Sequence, residues 1–140
     1  MNNKKNIIDY SKKIGIDIIG FTDGNCLELK DRLELQKQKD YSCHFEKGTI
    51  DERINPNLLL DDLKTIIVIG IGYPKTTDKL ENIKKNEVYF SSSSWGYDYH
   101  IVLKEKMELL VKYLEKDNPN LKYTITVDTS ILDDRYMAYK

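Results

Sequence analysis

The chain carries only two cysteines, Cys26 and Cys43, and neither belongs to a Cys-x-x-Cys pair. That excludes a disulfide framework and fits a reducing compartment. Charge of either sign is scarcely in excess: 22 basic residues against 23 acidic ones leave a formal charge of −1. No overall basic field therefore drives non-specific nucleic-acid binding, and any RNA contact must be a local patch or lie on other sequence. No apolar run approaches the roughly 20 residues that span a bilayer. The opening residues, Met1 to Asn6, are polar and lack an apolar leader. A cytoplasmic protein without a membrane partner is expected. Gly-x-Gly-x-x-Gly, P-loop and Gly-x-Ser-x-Gly patterns are missing, which leaves nucleotide-binding and acyl-transfer readings little support. The two histidines, His44 and His100, form no zinc-like spacing with the cysteines, so no metal held by this chain alone is expected.

What is present, 40% hydrophobic and 10% aromatic residues over 140 positions, suffices for one ordinary core, and a single domain over residues 1–140 is expected. Ile7, Tyr10, Ser11 and Ile14 share a helical face and Gly15 follows as a stop, predicting a helix over about residues 3–14. Ile16 to Thr22 reads as a strand. Asn25 to Glu28 has capping-box spacing and predicts a helix through about Lys39, with Leu29 and Leu33 inward. The pattern is lost from Asp40 to Pro56, which predicts a loop. Thr65 to Tyr73 is a continuous β-branched run between Lys64 and Pro74, predicting a central strand buried on both faces. Lys75 to Glu87 reads as an exposed connection and Val88 to Ser91 as a short strand. Asp98 caps a predicted helix to about Lys116, along which Tyr99, Leu103, Met107, Leu110 and Leu114 recur at helical spacing. Lys122 to Val127 alternates as a strand, and Ser130-x-x-Asp133 opens a helix that has barely begun at Lys140. The expectation from that ending is a fragment of a longer protein.

Chemistry gathers in two stretches. Ser91 to His100 crowds hydroxyls and rings into a turn that runs into the long helix, and Val127 to Arg135 places carboxylates at a strand end before a helix. Asp98 reads first as an ordinary N-cap and second as a ligand contact, and the two roles are compatible. Trp95 and Tyr97 read singly as packing aromatics; with the serines they suit a flat, heteroatom-rich ligand. Asp128 occupies a common position for catalytic groups in α/β architectures, or else trims the start of a helix. A helix N-terminus and Arg135 favour its ionised form, whereas burial against a large apolar cofactor and the nearby Asp133 and Asp134 favour retention of a proton. Arg53 reads as a surface ion-pairing arginine.

Together, Trp95-Gly96-Tyr97-Asp98-Tyr99-His100, Val127-Asp128-Thr129 and Asp134-Arg135 resemble the epoxyqueuosine reductases, cobalamin- and iron–sulfur-dependent enzymes of tRNA modification. Ile19-Gly20-Phe21, Arg53 to Leu60 and the Ile66 to Tyr73 run extend the resemblance along nearly the whole chain. It implies Asp128 as proton donor and Arg53, Ser91, Asp98 and Asp128 as residues lining a cobalamin. It also implies reduction of epoxyqueuosine to queuosine at the tRNA wobble position, with electrons arriving through two 4Fe–4S clusters. The cluster-binding cysteine runs and the RNA-binding region of that family are not in this sequence. The expectation is therefore an amino-terminal cobalamin-pocket domain that folds without catalysing alone. The identity of any protein that delivers electrons is not legible.

The fold expected is an α/β (α+β) sandwich, a small mixed or antiparallel central sheet flanked by helices, similar to nitroreductase-like cobalamin-handling domains. The rival readings are a non-catalytic corrinoid- or flavin-binding module of that fold and a protein-interaction domain using the Trp95 to His100 loop.

Overall fold

In the computed structural model, the described residues are 3–43, 45–73, 88, 90–128 and 130–140. Asn3 opens the first helix, α1 (Lys4–Lys13), by accepting from the Asn6 N–H at 2.9 Å. Gly15 ends it, as the spacing predicts: it takes φ +78°, a left-handed conformation that costs glycine little, and its N–H caps Lys12 O at 3.1 Å.

Strands β1 (Ile18–Asp23) and β2 (Thr65–Gly70) pair antiparallel, with Ile18 opposite Gly70 and Asp23 opposite Thr65. Side chains alternate between the two sheet faces. Ile66 and Val68 pack on the core of Leu27, Leu29, Leu33 and Met137. Phe21, Ile67 and Ile69 line the other side with Ile7, Met107 and Leu110. Helices therefore cover both faces. α2 (Lys30–Gln38) and α5 (Asp134–Tyr139) lie on one, and α1 and the long α4 (Tyr99–Glu115) lie on the other. The architecture is α+β, and among the described residues its sheet is purely antiparallel rather than mixed.

β2 departs from the central, doubly buried strand that its composition suggests. It stops at Gly70, is half-buried, and among the described residues pairs only with β1. Lys122 to Val127, expected to be a further strand, has no regular secondary structure. An apolar cleft of about 950 Å³ separates it from β2 and α4, so ladder hydrogen bonds do not form. Arg53, Ser91, Asp98 and Asp128 do not line that cleft.

Two further departures concern capping. α2 starts at Lys30 with Leu29 in the N-cap position and no side-chain cap. Asn25 instead donates its N–H to Asp23 Oδ1. Leu27 and Leu29 are both pulled into the core. Burying one leucine contributes about 2 kcal/mol, against about 1 kcal/mol for a cap. The loop expected from Asp40 to Pro56 contains a short helix, α3 (Ile50–Arg53), opened by a capping box in which Thr49 N–H donates to Glu52 Oε2 at 2.6 Å. A 3-10 turn at Pro56–Leu58 follows. His44, Thr129 and the connection from Lys75 to Glu87 lie outside the described residues, as does Tyr89 of the expected short strand. Val88 and Phe90, on either side of it, are exposed and not in a strand. Among the described residues no helix is long and apolar enough to cross a membrane.

Candidate active site

Ser91 opens the turn that leads to α4. Its Oγ accepts from Ser93 N–H at 3.4 Å and lies 2.9 Å from Ser93 Oγ, while Ser94 Oγ donates to Ser91 O at 2.7 Å. These local bonds wind Ser92–Ser94 into a 3-10 turn. Gly96 then reverses the chain at φ +90°, which favours glycine. Asp98 caps α4, its Oδ1 accepting the His100 N–H at 2.9 Å. The capping role read from the sequence is thus formed.

The cap also aims the first turn of α4 at Asp128. Asp98 Oδ1 lies 2.8 Å from His100 Nδ1, and Asp128 Oδ1 lies 2.9 Å from His100 Nε2. Tyr99 OH donates to Asp128 Oδ2 at 2.5 Å. The Tyr99 and His100 rings stack, with centroids 4.1 Å apart and planes 29° apart. Both oxygens of Asp128 are therefore held by adjacent residues of one helix turn. Further along α4, Leu110 is buried.

Electrostatics follow the same contacts. The His100 backbone and ring bonds hold the Asp98 carboxyl below its ordinary range. The bond to Asp98 is the largest influence on His100 and raises it; burial, the next largest, opposes this, and the bond to Asp128 adds to the rise. Tyr99 is raised by its bond to Asp128. Asp134 belongs to an exposed residue, yet its carboxyl is partly shielded by surrounding protein, and that desolvation pushes it up, assisted by the charges of Asp128 and Asp133.

Of the four residues chosen from the sequence, Asp98 and Asp128 are brought together, through His100. Arg53 and Ser91 make no hydrogen bond or ion pair with either carboxylate. Arg53 Nη1 faces Glu46 Oε2 at 3.7 Å, and Gln36 Nε2 holds the other oxygen of Glu46 at 2.6 Å. The ion pair read for Arg53 is formed, but not at the surface: the side chain is only 15% exposed, folded against Glu46. His100 and Tyr99 were not among the chosen residues. The signal available for them was position: a cap at Asp98 puts both in the first helical turn, beside any group the chain returns at the end of the 122–127 segment. Among the described residues no group of three or more His, Cys, Asp or Glu side chains could hold a metal ion, and Cys26 and Cys43 are free and exposed.

The model of the family "Epoxyqueuosine reductase QueG, DUF1730" matches residues 53–129, more than half of the chain and the whole stretch from Arg53 to Asp128. The epoxyqueuosine reductase of Bacillus subtilis is 39% identical over 138 residues, and that of Bacillus anthracis 42% identical over 138 residues; each alignment covers 96% of this chain and 36% of the relative. Among solved structures, an epoxyqueuosine reductase with an epoxyqueuosine-modified tRNA-Tyr stem loop superposes with a TM-score of 0.78 at 37% identity, over 96% of this chain and 36% of that one. Bacillus subtilis epoxyqueuosine reductase with its catalytic loop swung out of the active site superposes with a TM-score of 0.81 at 36% identity, again over 96% and 36% of the two chains. The chain spans little more than a third of the length of the curated relatives it matches. With family model, sequence and fold in agreement along it, the chain belongs to the epoxyqueuosine reductase family.

Proposed function

We propose that this chain is the amino-terminal, cobalamin-pocket domain of an enzyme that reduces epoxyqueuosine to queuosine in tRNA, with Asp128 as the acid that protonates the departing epoxide oxygen. The observation that carries the proposal is the convergence of Asp98 and Asp128 on His100 at the N-terminus of α4, within the segment matched by the family model. A strained C–O bond breaks more readily when its oxygen is protonated in the transition state, and a positioned carboxyl is suited to that task. Family membership supports the substrate class, and so does the modified tRNA stem loop bound by a solved relative.

The donor set fits a corrinoid. Tyr97 and Phe90 expose their rings and Trp95 is 39% exposed, in the same stretch of chain as the serine turn, Asp98 and His100. A large flat ligand bearing amide and phosphate groups needs such a mixture of ring faces and hydrogen-bonding groups. In this reading Ser91, Asp98 and Asp128 line one side, and Arg53 offers its guanidinium to a polar edge or phosphate. When bound, a reduced corrinoid supplies the electrons and the nucleophile. Asp128 holds the proton, Asp98 fixes the start of α4, and Tyr99 fixes the second oxygen of Asp128.

The iron–sulfur clusters do not fit this chain. Each 4Fe–4S cluster takes four thiolates, and the sequence has two cysteines in all. In the proposed enzyme the clusters and most of the tRNA contact belong to sequence outside these 140 residues, the α+β fold is a nitroreductase-like one, and the compartment is the cytoplasm. The test is to produce the protein from its complete reading frame without oxygen and determine cobalt, iron and sulfide with the absorption spectrum. Bound or readily reconstituted corrinoid together with cluster iron is the expected result. Neither, even after reconstitution, would overturn the reading.

A further inference from the structure

The departure of an epoxide oxygen as water breaks two C–O bonds, forms one C=C bond, and consumes two electrons and two protons. In the reading above, the electrons come from a low-potential donor through the corrinoid. One carboxyl holds one proton, so Asp128 must be reloaded within each turnover or between turnovers. The reloading route has to reach solvent from an oxygen of Asp128 through groups that exchange protons near neutral pH.

Among the contacts of Asp128, His100 has the required properties. Its Nε2 is 2.9 Å from Asp128 Oδ1, its Nδ1 is 2.8 Å from Asp98 Oδ1, and its side chain is 38% exposed. A neutral imidazole has one N–H and can donate to only one of the two carboxylates. The imidazolium donates to both, so the observed geometry is best satisfied by the protonated ring. Tyr99, the other partner of Asp128, is a poorer source: its hydroxyl already gives its hydrogen to Oδ2, and losing that proton beside a carboxylate is unfavourable.

We propose that His100 is the proton-delivery residue of this site, passing its Nε2 proton to Asp128 Oδ1 while Nδ1–H stays on Asp98, and regaining a proton at the vacated Nε2 from solvent at the exposed edge of the ring once Asp128 has given its own proton away. The step moves one proton from nitrogen to oxygen, leaving neutral imidazole and carboxylic acid, and no electrons are transferred. Asp98 acts as a positioning residue here, since its carboxylate holds the ring by Nδ1 while its backbone bond to His100 N–H fixes the helix turn. The charged and titratable groups facing the ring are Asp98, Asp128 and the stacked Tyr99, with Asp134 behind Asp128. The proton affinity of His100, raised first by its bond to Asp98, shifts in the direction that proton delivery requires.

This assignment rests on the reductase reading, and the test separates the two. In the complete anaerobic enzyme, the pH–rate profile on an epoxyqueuosine-modified RNA stem loop should lose rate as pH rises through the His100 ionisation. His100→Gln, which keeps a hydrogen-bonding side chain but no titrating ring, should lower kcat about 100-fold near pH 7, leave KM nearly unchanged, and remove that ionisation. Asp98→Asn, which deletes the largest raising influence, should move the ionisation to lower pH. NMR titration of the His100 ring, assigned by its loss in His100→Gln, supplies a readout independent of turnover: Asp128→Asn should shift it down as well. An active wild type whose inflection persists in the His100→Gln variant, with the rate unchanged or merely scaled, would overturn proton delivery and leave the reductase reading standing. A ring titration unaffected by Asp128→Asn would overturn it too. A wild-type enzyme with no turnover at any pH would overturn both.

Discussion

His100 and Asp128, from different elements of the fold, meet at 2.9 Å between Nε2 and Oδ1, and the same ring reaches Asp98 at 2.8 Å through Nδ1. The bridge ties the start of α4 to the segment that ends at Asp128, so it has a consequence for stability as well as for chemistry.

His100 binds its proton more tightly in the folded chain than its ordinary value of 6.5. A raised value stabilises the fold fully below that ordinary value, and the contribution is lost as pH rises through the folded value. Wild type should therefore exceed His100→Gln in melting temperature by more at pH 6 than at pH 9. Melting curves of the two proteins across that range check it, and a difference that stays constant with pH would contradict it. Asp98, held low, behaves oppositely: its contribution is present above its ordinary value of 3.8 and is lost as pH falls through the folded one.

Gly24 is placed where a side chain does not fit. A Cβ there would stand 2.3 Å from Leu63 O and 2.8 Å from the Leu63 carbonyl carbon. Asn57 holds these same two strand-end turns together, donating to Gly24 O at 3.3 Å and accepting from Leu63 N–H at 3.1 Å. Gly24→Ala should cost about 1–3 kcal/mol through forced displacement. Gly20→Ala, which meets nothing within 4 Å, should be close to neutral. Denaturant titration of the pair checks the contrast.

Asp133 caps α5 by accepting the Tyr136 N–H at 2.9 Å, and α5 carries Met137 into the core beside Leu29 and Leu33. Asp133→Ala should destabilise the chain by about 1 kcal/mol, and Asp133→Ser should recover most of the loss. Equal denaturation midpoints for the alanine and serine variants would show that the cap contributes nothing.

Local chemistry was legible where a single residue decides the outcome. Gly15 stops α1, Asp98 caps α4, and Leu29 and Leu33 point inward, all as their spacing requires. The Thr49–Glu52 capping box was equally present in the sequence, hidden by the brevity of the helix it opens. What the sequence could not reveal depends on distant partners. Leu29 gives up a capped helix start for the core. Lys122 to Val127, despite its alternation, stays apart from β2 across a cleft. At the site, Asp98 and Asp128 were legible as carboxylates at element ends, whereas His100 as the bridge was not, because nothing local to Tyr99-His100 specifies which group arrives opposite them. Arg53 engages Glu46, a partner some way off along an irregular segment.

The central claim is that Asp128 is the acid of an epoxyqueuosine reductase, and turnover by the complete protein tests it most directly. With a low-potential reductant and an epoxyqueuosine-modified tRNA stem loop, wild type should form queuosine. Asp128→Asn should retain its cofactors and its fold while losing at least about 100-fold in rate. An Asp128→Asn enzyme as fast as wild type would contradict the account.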